Sequence, residues 1–193
     1  MVRTLKSEKR ARLLTSALKL FVKSGVMNTS TAAIARDAGT AAGTLFLYFP
    51  TKQQLLDELI LKIGREQSEC VKNAIMPSLT ARDTFFTIWN TTVHWFLENM
   101  DAYTYLQQVR DTGLISEKAV LESGEFFGYF YETIQKGLAE GSLKKYPFDL
   151  IGEFLYRDIV AVMNLLRAQT DSTNFEEIIQ QGFDIFWDGI KGA

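Results

Sequence analysis

Cysteine and histidine are almost missing from this chain of 193 residues, since each occurs only once, as Cys70 and His94. A lone cysteine cannot close an internal disulfide, and with a single histidine it gives no basis for a metal site. We expect Cys70 to be a half-buried helix residue and His94 a partly buried, hydrogen-bonded one. The sequence therefore predicts neither a metal nor a cofactor.

Long hydrophobic runs are also lacking. No uninterrupted apolar stretch reaches the roughly 18 residues that a membrane span needs. The first 23 residues carry seven basic side chains and no apolar run typical of a signal peptide. We therefore expect no membrane partner and a cytoplasmic location. No segment alternates in the manner of a strand with hairpin turns, which predicts an all-α fold.

Charge is distributed unevenly along the chain. Residues 1–52 hold nine Lys or Arg and two acids, a net charge of +7, whereas the remainder holds twelve basic and twenty-one acidic residues, a net charge of −9. A basic first quarter on an acidic body indicates that the N-terminal part meets a polyanion. A Lys-rich helix surface without such a partner would give the same composition.

Apolar periodicity is helical nearly throughout. Leu14, Ala17, Leu18 and Phe21 form one stripe of the first helix, and Gly25 follows it as a stop signal. About nine helices are predicted, over 7–24, 31–38, 41–48, 51–75, 80–99, 102–112, 117–140, 148–168 and 174–190. The segment 28–31 offers an N-cap for the second helix and Thr51 one for the fourth.

Residues 31–49 have the pattern of two short helices that meet at a sharp angle. Ala35 is small enough for the crossing, and Gly39, four positions later, supplies a turn residue that tolerates positive φ. Four apolar positions lock the pair against the first helix: Ile34, Ala38, Leu45 and Phe49. The outward surface of the second helix is left to Ala41, Ala42, Thr44, Leu47 and Tyr48. A helix presented in this way fits the major groove of DNA.

Residues 44–52, followed by Leu55 and Leu56, resemble the end of the DNA-reading unit of TetR-type transcriptional regulators, where a Thr-Leu-Tyr-x-x-Phe-x-x-Lys pattern leads into a long linker helix. The resemblance is specific from residue 14 to 59 and otherwise one of helix count and length. It implies a helix-turn-helix domain over 1–50 and a helical ligand-binding and dimerisation domain over 51–193. The predicted DNA-binding residues are Thr31, Thr40, Ala41, Ala42, Thr44, Leu47, Tyr48 and Lys52.

Within that resemblance Thr31 and Lys52 would meet phosphates, Ala42 and Thr44 would face base edges or backbone, and Leu47 and Tyr48 would lie along the groove. A lysine in a first helical turn opposes the helix dipole, which also favours a nearby anion for Lys52. The chain departs from the family at Phe46, where Tyr is common, and at Thr40, where Val or Ile is usual. We expect Thr40 to cap the next helix.

Aromatic residues crowd the C-terminal part, where sixteen of twenty-four lie between 85 and 156. That density, with the resemblance, predicts a pocket for a flat or long apolar molecule, although ordinary core packing would also explain any single ring. The predicted pocket residues are Phe85, Trp89, Thr92, Phe96, Arg110, Phe127, Tyr131, Phe154 and Asp158. Arg110 would pair with a ligand carboxylate, or else with Asp111 or Glu117.

The family resemblance implies a homodimer in which the last two helices form a four-helix bundle with a second copy. Two apolar stripes were available for this bundle: Ile159, Val162, Met163 and Leu166, and Ile179, Phe183 and Phe186. A two-fold dimer predicts a pseudo-palindromic operator, with a small-molecule inducer that releases it by swinging the linker helices. Repression and activation stay open, because the family contains both.

Two other classes of function compete. An enzyme is disfavoured because there is no local carboxylate pair, serine nucleophile elbow, glycine phosphate loop or metal cluster. A non-specific architectural DNA binder would show steep salt dependence with little preference between sequences.

Overall fold

A computed structural model describes residues 2–169 and 171–192, with side chains from residue 6 onward. The all-α prediction is confirmed, and the described residues form ten α-helices and one short 3-10 helix. The α-helices are α1 (Val2–Ser24), α2 (Thr31–Asp37), α3 (Ala42–Tyr48), α4 (Lys52–Ala74), α5 (Ala81–Glu98), α6 (Met100–Val109), α7 (Glu117–Gly124), α8 (Gly128–Ala139), α9 (Phe148–Ala168) and α10 (Phe175–Ile190).

One predicted helix is divided in the structure. A single helix was predicted over 117–140, but a 3-10 helix at Glu125–Phe127 divides it into α7 and α8. Gly124 and Gly128 flank that break, and glycine is a poor helix former. Near the C-terminus the chain makes one isolated antiparallel bridge between Leu143 and Lys191.

Side chains cap the helices at two of the predicted places. The Ser30 hydroxyl accepts a hydrogen bond from the amide of Ala33 at 3.1 Å, at the start of α2. Thr51 likewise accepts from the amide of Gln54 at 3.1 Å, at the start of α4. The expected cap at Thr40 is wrong, because the N-cap of α3 is Ala41, which makes no side-chain capping bond.

The chain divides into two compact units. Unit 1 comprises residues 1–65 and 99–125, and unit 2 comprises 66–98 and 126–193. Unit 1 therefore takes in α6 and α7 as well as the first three helices, while unit 2 holds α5 and α8 to α10. The predicted functional division at residue 50 stays a prediction.

The core of unit 1 joins α1 to α2, α3, α4 and α6. Phe21 is fully buried and its ring stacks on that of Tyr105, with centroids 5.9 Å apart. The Tyr105 hydroxyl donates to the Leu56 carbonyl at 3.0 Å, which satisfies the buried phenol. Burial raises the pKa of Tyr105, so it stays a neutral donor. Helix α6 thus supports the α1–α4 junction from within unit 1.

The core of unit 2 is an aromatic cluster. Trp89 is fully buried, and its indole N–H donates to the Ile179 carbonyl at 2.9 Å. Phe183 lies edge-to-face with Trp89, at 6.1 Å between centroids, and stacks on Trp187 at 6.3 Å. A Cβ at Gly182 would press against Val162 and Trp89, so glycine permits the close approach of α10 to α9.

Within the described residues, no helix is both long enough and apolar enough for a membrane span.

Candidate nucleic-acid interface

The turn between α2 and α3 has the geometry that the sequence pattern predicts. Gly39 adopts φ +68°, a left-handed conformation that favours glycine over other residues. The amide of Thr40 then donates to the Ala35 carbonyl at 2.9 Å, and its hydroxyl donates to the same oxygen at 3.2 Å. Ala35 is fully buried where the helices cross. These contacts fix the direction of α3 relative to α2.

Apolar side chains hold the two short helices against α1. Ile34 and Leu45 are fully buried, Phe49 is 1% exposed and Ala38 is 6% exposed, as the prediction requires. Burial of a large aliphatic or aromatic side chain contributes about 1.5–3 kcal/mol each. The pair is therefore a packed unit with one free face.

The free face of α3 consists of three parallel rows of residues spaced four apart. Gly43 and Leu47 lie opposite the buried Leu45, and Leu47 is 81% exposed. Ala42 and the 47%-exposed Phe46 flank this row on one side. Half-buried Thr44 and Tyr48 flank it on the other side.

The remaining predicted contacts lie close by in the chain. Ala41 is exposed at the N-cap of α3, Thr40 is half-buried in the turn, and Thr31 is half-buried at the first position of α2. The structure therefore groups the predicted residues of 31–48 on one helix-turn-helix.

Lys52 has partners that the sequence did not reveal. Its ammonium donates to the carbonyls of Val26 and Thr29, at 2.6 and 2.8 Å, and lies 5.9 Å from the centre of the Phe21 ring. Desolvation by burial lowers the pKa of this ammonium. Through the two carbonyl oxygens Lys52 ties the first turn of α4 to the α1–α2 loop, and its predicted phosphate contact stays a prediction.

Ion pairs inside unit 1 use part of its positive charge. Lys19 pairs with Asp37 at 2.7 Å between Nζ and Oδ1, and Arg10 pairs with Glu58. Hydrogen bonds from Lys19 and Ser16 hold the pKa of Asp37 below its usual value. Five other cations within residues 6–52 of this unit are exposed to solvent: Lys6, Lys9, Arg12, Lys23 and Arg36. The exposed cations give the unit a surface that suits a polyanion.

The predicted pocket residues do not form one group. Four of them, Phe85, Trp89, Thr92 and Phe96, are buried in unit 2. Phe127 and Asp158 are half-buried there, and burial raises the pKa of Asp158. Tyr131 and Phe154 are 53% and 57% exposed. Arg110 belongs to unit 1 and lies 4.0 Å from the Asp111 carboxylate, one of the alternatives considered.

The buried rings among the predicted pocket residues pack against other aromatic side chains of the core. Phe85 meets Phe130 at 5.7 Å, and Trp89 stacks on Phe186 at 6.2 Å between centroids. Thr92 accepts a hydrogen bond from the Gln67 amide at 2.8 Å. Core packing accounts for these three positions, and the ligand assignment stays a prediction.

The predicted dimer stripes need a correction. All seven residues are buried within the single chain, at 4% exposure or less: Ile159, Val162, Met163, Leu166, Ile179, Phe183 and Phe186. They pack α9 and α10 against each other and α5, so they are not available to a second copy. The large apolar side chains that these helices expose are Phe148, Leu150, Phe154 and Leu165 on α9 and Ile185 on α10.

Sequence reasoning missed other features of the chain. Cys70 is exposed on α4 rather than half-buried. His94 is partly exposed and its Nε2 lies 3.2 Å from the Glu176 carboxylate, in line with the expected hydrogen-bonded histidine. Gly43 and Phe46 were not assigned to the interface, although their i, i+4 spacing to Leu47 and Ala42 could have placed them on its face.

Comparisons with known proteins agree with this geometry. A family model described as "Bacterial regulatory proteins, tetR family" matches residues 13–59, and one described as "Tetracyclin repressor-like, C-terminal domain" matches 60–192. The chain is 21% identical over 139 residues to an uncharacterized HTH-type transcriptional regulator, YhgD of Bacillus subtilis, covering 71% of this chain and 73% of that protein.

Solved structures share the whole architecture. A tetR family transcription regulator from Shewanella sp. PV-4 matches with a TM-score of 0.89 and 26% identity, covering 96% of this chain and 99% of that one. The regulator FadR from Bacillus subtilis, in complex with stearoyl-CoA, matches with a TM-score of 0.76 and 17% identity, covering 93% and 98%. The second likeness is one of fold alone.

Proposed function

The chain belongs to the tetR family of bacterial regulatory proteins, and we propose that it is a homodimeric repressor that leaves a palindromic operator when a small apolar or aromatic molecule binds. The observation that carries DNA reading is the free face of α3. Leu47 is 81% exposed there, while Leu45 on the opposite side is fully buried. A helix so held, with exposed cations in the same unit, suits insertion into the major groove.

The homodimer is supported by the apolar side chains that α9 and α10 expose. Leu150, Phe154 and Leu165 lie along one side of α9, and Ile185 is 74% exposed on α10. Exposed apolar patches of this kind mark association surfaces in soluble proteins. We assign the dimer contact to this surface, and a two-fold pair would then read two half-sites on the same side of the duplex.

The ligand proposal rests on the aromatic content of unit 2 and on the family. FadR of Bacillus subtilis, which shares the fold, is complexed with stearoyl-CoA, a long apolar chain on a polar carrier. Induction requires that the ligand bind the released state more tightly than the DNA-bound state, and a differential of a few kcal/mol suffices. Helix α4 contributes residues to both units and is the element that we expect to move.

Selection from a random duplex library with the purified full chain tests DNA reading. We expect an enriched inverted repeat whose half-site centres are separated by about 10 base pairs or a multiple. Thr44→Ala and Tyr48→Ala should weaken binding of that duplex far more than binding of random DNA. Absence of enrichment, with equal affinity for all duplexes, would support an architectural binder instead.

Repression and release need separate measurements. A reporter whose promoter carries the selected duplex should be silenced by the chain in cells, where we place the protein in the cytoplasm with its DNA. Activation of that reporter would overturn the repressor assignment. Stearoyl-CoA and flat aromatic compounds serve as probes of release, measured as loss of anisotropy of the labelled duplex. A chain that retains the duplex with every probe would contradict induction by such ligands.

A further inference from the structure

Neither backbone conformation nor packing within the chain requires glycine at position 43. Its φ lies outside the left-handed region, and a Cβ built at this position meets no atom within 4 Å. An alanine would fit there, and it would restrict the unfolded chain more than glycine does. By contrast, the positive φ at position 39 favours glycine, and at position 182 neighbouring side chains leave no room for a Cβ. Unlike Gly124, where a Cβ also meets no atom, Gly43 lies on the free face of α3 in one row with Leu47, so the missing side chain there leaves room for a partner outside the chain to come close to α3.

Leu47 occupies the same row one turn later. Its side chain is 81% exposed and apolar, so a partner that covers it gains the free energy of removing that surface from water. This row therefore offers a position without a side chain, Gly43, followed one turn later by the apolar side chain of Leu47. Thr44 and Tyr48 supply hydroxyl groups in the neighbouring row.

The charge of unit 1 decides what approaches this row. Exposed cations on the same helix-turn-helix and on α1 include Lys23 and Arg36, and the first 52 residues carry a net charge of +7. A polyanion is the partner that such a surface attracts, and the family is one of DNA-binding regulators. The occupant of the row is therefore the major groove of duplex DNA.

Among the four bases, thymine alone offers an apolar group, the C5-methyl, on its major-groove edge. Leucine cannot hydrogen-bond, so facing it with the guanine acceptors or the cytosine amino group would leave polar atoms unpaired. We propose that Gly43 lets the groove approach α3 and that Leu47 covers a thymine methyl, so that each operator half-site requires a thymine at this position. This proposal rests on the proposed function and deepens it by naming the base chemistry that is read.

Replacement of thymine by uracil tests the proposal with the unaltered protein, because uracil keeps every hydrogen-bonding atom and loses only the methyl. Each thymine of the selected duplex is replaced in turn, symmetrically in both half-sites, and the affinity is measured by fluorescence anisotropy at fixed salt. At one position we expect roughly fourfold weaker binding per half-site, the effect of exposing one carbon group. Leu47→Ala should bind the thymine and uracil duplexes equally at that position.

Gly43→Ala provides a second readout that a purely structural role would not give. This variant should melt about 1–4 °C higher and yet bind the selected duplex at least tenfold more weakly. Gly124→Ala is the matched control in unit 1, since its Cβ also meets no atom within 4 Å, and its affinity should not change.

Three results would overturn the proposal: a uracil scan that is flat at every thymine, a uracil effect that persists unchanged in Leu47→Ala, or wild-type affinity in Gly43→Ala. The failure of the proposed function is distinguishable. If selection recovers no duplex, DNA reading and this inference both fall, whereas a recovered duplex with a flat scan removes the inference alone.

Discussion

Lys52→Met removes the ammonium that joins the first turn of α4 to the α1–α2 loop. Two hydrogen bonds from a charged donor are lost, to the Val26 and Thr29 carbonyls at 2.6 and 2.8 Å. Each such bond contributes about 1.5–3 kcal/mol when buried. The site is only partly buried and the carbonyls can be rehydrated, so we expect a total loss of about 1–3 kcal/mol in the free energy of unfolding. Methionine also loses the cation–π contact of the ammonium with the Phe21 ring and keeps only the apolar stem of the side chain.

Urea unfolding measures that loss, and the salt dependence of DNA binding separates it from loss of a phosphate contact. Removing one phosphate contact lowers the slope of log K against log salt by about 0.9. We expect Lys52→Met to weaken binding with an unchanged slope, because its ammonium is engaged by carbonyls. Gln54→Met, an exposed change in the same helical turn, is the control. A slope reduced by about 0.9 with an unchanged free energy of unfolding would instead show that Lys52 contacts a phosphate and does not stabilise the α1–α2 loop.

Three further predictions concern the turn, the dimer surface and an ion pair. Gly39→Ala forces a Cβ onto a φ of +68° and should destabilise the chain by about 1–2 kcal/mol, read as a fall in Tm; an unchanged Tm would contradict the assigned strain. Leu165→Glu combined with Ile185→Glu should give a folded monomer in sedimentation that binds the operator weakly, whereas a stable dimer would exclude this surface. Asp37 has a folded pKa below its unfolded one, so its stabilisation is present above pH of about 4 and is lost as pH falls through the folded pKa. Asp37→Asn should therefore lower Tm at neutral pH and match wild type in acid, and the Lys19→Met variant should lose the same pH dependence.

Local signals account for the part of the fold that the sequence predicted. Gly39, Ala35 and the four apolar locking positions are defined by spacing within twenty residues, so their geometry follows from backbone sterics and a small crossing residue. Ser30 and Thr51 cap their helices for the same reason. The free face of α3 could be read because the buried Leu45 fixes which side faces inward.

Long-range contacts account for what the sequence could not reveal. Lys52 was assigned a phosphate because its two carbonyl partners lie 26 and 23 residues away. The assignment of the two apolar stripes to the dimer was wrong because hydrophobic periodicity indicates which face of a helix is buried but not whether the same chain or a second copy covers it. Ile179 and Phe183 meet Trp89 within the same chain, about ninety residues away in sequence.

Protection of α3 by bound duplex is the direct test of whether this helix enters the DNA. With Cys70→Ser removing the exposed native thiol, Ala42→Cys places a thiol on the free face of α3, and Ala139→Cys places one at an exposed position at the end of α8 as a control. Alkylation rates are measured by mass spectrometry with and without saturating selected duplex. We expect the duplex to slow modification at position 42 at least tenfold and to leave position 139 unaffected. Equal rates at position 42 with and without bound duplex would contradict this expectation.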